Sequence, residues 1–313
     1  MILGEFAVNP DAIKEWKDLK FITMNFGFEH GAVISSFPKA WLKVLQQKAK
    51  SELKDVEYSV VTERLKVIKD EAIIKSGRAF KPEYDWIENS LLQQKNNPFY
   101  KIIHDSELAD QAEVISFDSL DKHVFKGLRE GVVKRDAASF AEVSRLLLEN
   151  SSNIQFIDPY FSAAKGSTGK LDTGFFNSIK AMLSTAGVFK RTNIRDIQVH
   201  TSYKRSQTEV DIKEEKKILD EHYKKIIPLG KSIEFTWWDD EGTSEIHPRY
   251  LVTEKGGIRF DRGFVVPVSH EQREAETDVC MMTTEKNIDI SLKYREETSP
   301  YNVIDRHIVQ GQV

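Results

Sequence analysis

A single cysteine, Cys280, leaves this chain without a disulfide framework and without the thiolates a cysteine-built metal site needs. That usage fits a reducing compartment. Long apolar runs are missing as well: nothing approaches the roughly 18 consecutive apolar residues of a membrane-spanning helix. The opening MILGEFAVNP has an acid at position 5 and no basic stretch, which predicts no secretory signal and a soluble, cytoplasmic protein. Nor is there an excess of positive charge. Lys and Arg number 45 against 49 Asp and Glu, for a net charge of −4, so any polyanion site has to be a local basic cluster.

What is present describes an ordinary globular protein. Apolar residues are 40% and charged residues 30% of 313, enough chain for two domains with real cores. Residues 1–125 read as an α+β domain of unknown role, with no internal repeat or low-complexity segment. Asn9-Pro10-Asp11 is a helix opening, with Asn as cap and Pro at the first helical position. A second helix opens at Pro38. YSVVTERLKVI begins like a strand and ends with helical periodicity, so both readings stay open. EYDWIENSLLQQK (83–95) reads as a helix, and AEVISFDSL (112–120) alternates like a strand.

From about residue 136 strands and helices alternate. DAASFAEVSRLLLENS is an amphipathic helix and NIQFIDPYFS a buried strand ending at Asp158-Pro159. TGFFNSIKAMLSTA is a helix closed by Gly187. IRDIQVHTSY and SIEFTWW are strands on either side of a charged helix, RYLVTEKGGIRF is a hairpin turning at Gly256-Gly257, and DVCMMTT is a further strand. This grammar predicts an α/β layer with helices on both sheet faces.

Between Ser244 and Phe264, SEIHPRYLVTEKGGIRFDRGF places His247, Arg249 and Glu254 two and five residues apart. Residues i and i+2 of a strand share a face, so His247 and Arg249 are expected to point into one cavity. A neutral imidazole there can attack phosphorus, a guanidinium can hold non-bridging oxygens, and a carboxylate can orient either. Of eight histidines, only His222 and His247 have a cation two residues on. Only His247 also has the acid, since His222 would need one at Leu229.

The spacing resembles the phospholipase D motif, His-x-Lys, four residues, Asp, with Arg249 for Lys and Glu254 for Asp. Asp158-Pro159-Tyr160 and the block His247, Arg249, Tyr250, Gly256, Gly257 and Gly263 extend it. Together they resemble the branch with the C-terminal domain of MIT-domain proteins and uncharacterised bacterial relatives. The likeness covers residues 136–285. It implies a phospholipase D-like α/β/α sandwich over a domain at 136–313. It also implies a phosphodiesterase, a nuclease on DNA or RNA, working through His247 as nucleophile with no metal or cofactor. Arg249 would clamp phosphate and Glu254 would orient. Such chemistry needs two histidines, which single-motif relatives supply by pairing, so a homodimer is expected.

Pro248 replaces the branch's usual Asp, and Arg249 is a poor proton donor. The alternative is therefore a non-catalytic module that binds phosphate or partner proteins in a multi-protein system, such as an antiviral defence complex. Asp158, Tyr160, His200, Lys204 and Arg205 are expected to contact substrate, the last three because HTSYKR follows a strand. AKGSTGK (164–170) is no phosphate loop, since Ala164 and Leu171 stand where Gly and Ser or Thr are required. Trp237-Trp238 reads as core, and His222 and Lys224 as part of a solvated helix.

Overall fold

Two short strands, Gly4–Val8 (β1) and Ala32–Ser35 (β2), are buried at every position, which places each inside a sheet covered on both faces. They belong to a computed structural model that describes residues 1–105, 111–121, 123–165, 169–203, 211–239, 249–267 and 275–312. The chain divides into two units, Met1–Arg129 and Glu130–Val313.

In the first unit, β1 and β2 alternate with helices α1 (Trp16–Asn25), α2 (Trp41–Glu52), α3 (Asp55–Glu71) and α4 (Trp86–Gln94). Strands β3 (Ile73–Ile74), β4 (Lys101–His104) and β5 (Val114–Ser116) complete a sheet of order β3-β2-β1-β4-β5. Every pairing in it is parallel. This corrects the α+β expectation for residues 1–125: helical crossovers between parallel strands make the unit α/β. The ambiguous YSVVTERLKVI lies in α3, where Val61, Leu65 and Ile68 form one buried stripe. Asn9 does cap a turn, accepting the Asp11 N–H through Oδ1 at 3.0 Å. That turn is a single 3-10 turn, and α1 starts later.

The second unit holds β6 (Glu130–Lys134), α5 (Ala137–Glu149), β7 (Asn153–Ile157), α6 (Thr173–Thr185), β8 (Asp196–Ser202) and α7 (Ile212–His222). After them come β9 (Ser232–Asp239), β10 (Arg249–Thr253), β11 (Gly257–Phe260), β12 (Glu276–Met281), α8 (Thr284–Lys293) and β13 (Asn302–Gln310). The sheet order is β13-β9-β8-β7-β10-β11-β12-β6. Strands β7, β8 and β9 run parallel, while β10 pairs antiparallel with both β7 and β11.

Alternation divides the side chains between two faces. On one face, Phe156 of β7 and Phe260 of β11 meet Phe264, and Phe140 of α5 meets Phe260 edge-on. On that same face Phe161 packs on both Phe175 of α6 and Phe235 of β9. On the other face, Ile157, Trp238, Tyr250 and Val252 pack against Ile290 of α8 and Tyr294. The unit is thus mixed α/β with helices on both sides of its sheet. The hairpin turns just ahead of Gly257, which opens β11. A Cβ there would lie 2.4 Å from Oδ1 of Asn287, so the missing side chain lets α8 approach. Among the described residues no helix is long and apolar enough to cross a membrane.

Candidate functional site

Strand β7 ends where Asp158-Pro159 stops the ladder, and this end builds the site. The Asp158 N–H still donates to the His200 carbonyl at 3.0 Å, while its side chain turns inward and is 2% exposed. The carboxylate accepts the Tyr160 N–H at 3.0 Å and the Phe264 N–H at 3.2 Å. It therefore ties the turn after β7 to the segment after β11. Burial pushes its pKa up to about 6, against the pull of those N–H groups and of Arg249.

Arg249 opens β10 on the face it shares with Leu251, whose register partner is Phe156 of β7. Its Nε stands 3.9 Å from Oδ1 of Asp158, and its Nη1 donates to the Asp261 carbonyl at 2.8 Å. The guanidinium lies over the Tyr160 ring, 4.9 Å from the centroid, a cation–π geometry. The Nε is buried with no hydrogen-bond acceptor among the described residues. Asp158, Tyr160 and Arg249, which the sequence assigns to one site, thus come together in the structure.

Two further guanidiniums stand beside this group. Arg135 donates through Nη2 to the Val265 carbonyl at 3.3 Å, and Arg262 follows the Asp261 that holds Arg249. Burial lowers the Arg135 pKa, and the like charges of Arg262 and Arg249 lower it further. Arg135, Arg262 and Lys165, with one carboxylate, Asp172, line a hollow of about 530 Å³. Sequence reasoning missed Arg135 and Arg262. The quoted GIRFDRGF block contained Arg262, but Arg135 sits just before α5 in no motif at all.

Glu254 is elsewhere. An offset of five residues reverses the face and, at about 3.3 Å per residue, moves it about 16 Å along from Arg249. Its carboxylate accepts the Ser152 N–H at 2.6 Å, the Ser152 hydroxyl at 2.9 Å and the Asn153 N–H at 2.9 Å. It fastens the start of β7 and does not meet Arg249.

His200 also turns from the site. Only its carbonyl serves Asp158; the ring lies on the opposite face, 2% exposed, between Trp238 and Tyr294. Its Nδ1 accepts the Trp238 indole N–H at 3.2 Å. Burial, and then the Arg306 charge, pull its pKa down to about 3, so the ring is neutral near pH 7. Lys204, Arg205 and His247 lie outside the described residues. Among the described residues no group of three His, Cys, Asp or Glu side chains is placed to hold a metal ion.

No family model matches the chain, and no curated protein matches it. One similar solved structure is that of TrmBL2, described as an archaeal chromatin protein with a novel mode of DNA binding. The likeness has 15% identity and a TM-score of 0.27, over 55% of this chain and 53% of that one. The chain thus spans about half the length of that structure, and so loose a superposition carries no argument.

Proposed function

We propose that Glu130–Val313 is a phospholipase D-like domain that grips a phosphodiester of nucleic acid at the Arg249 end of its sheet. His247, two residues before Arg249 in sequence, is the nucleophile. The observation that carries this reading is the convergence of three guanidiniums, Arg249, Arg135 and Arg262, next to a buried Asp158. Guanidiniums fit phosphate oxygens in pairs, and their mutual repulsion favours an anion between them. The mixed sheet with helices on both faces supports a sandwich of phospholipase D type. If the protein is an enzyme it works as a homodimer, with each His247 near the two-fold axis so that one can attack and the other can protonate.

A second reading, a phosphate- or partner-binding module of a multi-protein system without turnover, is favoured by the placement of Glu254. With that carboxylate tied to Ser152 and Asn153, the motif lacks its orienting acid. The test is hydrolysis of bis(p-nitrophenyl) phosphate and of single- and double-stranded DNA, with and without a chelator. Turnover is expected to survive the chelator, to vanish in His247→Ala, and to fall by about 10²- to 10³-fold in Arg249→Ala. Binding of DNA without turnover selects the module. Neither binding nor turnover overturns both readings, and turnover that dies with chelator but tolerates His247→Ala replaces the histidine mechanism.

A further inference from the structure

One face of the second unit's sheet carries an apolar cluster at the Trp238 end and, one row along, a stretch too polar for a core. In a single register row, β7, β8 and β9 present Phe156, Val199 and Phe235 to the helices α5, α6 and α7, each 1% exposed. The neighbouring row, facing the other way, is Gln155, Gln198 and Glu234. Strands at the centre of a parallel stack are ordinarily apolar on both sides. Here the polar row floors a cavity of about 550 Å³, roofed on one side by α8 and the segment after it. That volume lies in the ~300–1,000 Å³ range of small-molecule sites.

The floor is arranged but incompletely satisfied. Gln155 Nε2 donates to Gln198 Oε1 at 3.1 Å, which leaves Gln155 Oε1 buried without a partner among the described residues. One row on, His200 is 2% exposed and accepts from Trp238 at Nδ1, so as a neutral ring it carries its proton on Nε2. That Nε2 is buried and has no partner among the described residues. Both atoms belong to side chains that line the cavity, and a buried donor or acceptor without a partner costs stability until one meets it.

We propose that this cavity is a binding site for a small, uncharged, polyhydroxylated ligand, a compound of monosaccharide size. The lining discriminates among chemistries. It holds five carboxylates and two guanidiniums, so a phosphate or another anion is repelled. An organic ammonium supplies donors for Gln155 and Glu234 but no acceptor for the His200 N–H. A nucleobase could supply both, but it needs an open aromatic face. Trp238 and Tyr294 are 1% and 6% exposed and meet each other edge-on at 84°. A hydroxyl both donates and accepts, and vicinal hydroxyls match paired amide and carboxylate groups. The site is separate from the Arg249 end: the two lie on opposite sheet faces, and His200 touches both, its carbonyl serving Asp158 and its ring the cavity.

Titration calorimetry of the full chain with neutral monosaccharides (glucose, ribose and N-acetylglucosamine), with intrinsic tryptophan fluorescence as a second readout, tests the proposal. At least one sugar is expected to bind saturably at millimolar concentration or below and to perturb Trp238. Gln198→Leu and Gln155→Leu are expected to weaken it by about tenfold each while leaving the melting temperature unchanged or higher. Arg249→Ala is expected to leave it untouched, which separates this site from phosphodiester binding. The proposal is overturned if no sugar binds, if a folded Gln198→Leu binds equally well, or if only spermidine, a nucleoside or inorganic phosphate gives the signal.

Discussion

A methyl group on Gly263 would stand 2.5 Å from Oδ2 of Asp158 and 3.2 Å from the side chain of Arg249. Gly263 also has φ +74°, where an L side chain costs about 1–2 kcal/mol on its own. Gly263→Ala is therefore expected to lower stability by at least that amount and to push the two charged groups apart. Chemical denaturation reads the first effect, and DNA affinity the second. A variant with native stability and affinity would mean that the close approach is dispensable.

Asp158 makes stability depend on pH in a stated direction. Its carboxyl pKa is about 6 in the folded chain against an ordinary 3.8, so between those values the folded state holds the extra proton. Its contribution is fully present below pH 3.8 and is lost as pH rises through about 6. The shift of about two units corresponds to about 3 kcal/mol. Asp158→Asn is expected to flatten that window and to raise stability at pH 8. Melting curves from pH 4 to 8 check it; an unchanged pH slope in the variant would contradict the buried, protonating Asp158.

Glu254 is expected to act on stability and not on the phosphate site. Glu254→Ala removes the acceptor of two backbone N–H groups and the Ser152 hydroxyl at an exposed position, at a cost of about 1 kcal/mol. Phosphodiester affinity and any turnover should be unchanged. If turnover falls with Glu254→Ala as far as with His247→Ala, the residue acts in the chemistry after all.

The strands and helices of the second unit were largely legible because each shows its period. Phe140 and Leu147 mark the stripe of α5, and the proline after Asp158 marks the end of β7. The parallel sheet of the first unit was not, because strands such as GEFAV, buried on both faces, carry no alternation. Asp158 entered the sequence reading only through the Asp-Pro-Tyr resemblance, and its approach to Arg249, 3.9 Å away, is a finding of the structure. The separation of Glu254 from Arg249 was implicit in an odd offset along one strand, and the motif reading overrode it. The sequence places His200 at a strand end suited to phosphate, and only the register shows its ring turned to the opposite face. Trp238, read as core, is core and also supplies the proton that sets the His200 tautomer. Arg135 had no local signal, since what places it beside Arg249 is the pairing of β6 with β12 across the sheet.

Strand β13 runs nine residues along the rim of the sheet and, among the described residues, pairs on one side only, with β9. A rim that long offers a template on which a second copy could stack by backbone bonding alone. Its middle, however, is Asp305-Arg306-His307: Asp305 and Arg306 form ion pairs with Lys216 and Glu296, and the His307 ring is hydrogen-bonded to Asp220. The ladder also shifts register between Val303 and Asp305. A guest strand would have to strip water from two ion pairs and a hydrogen-bonded histidine and follow a bent rail. Neutral residues at these three positions are therefore expected to turn a guarded rim into one to which another strand can adhere.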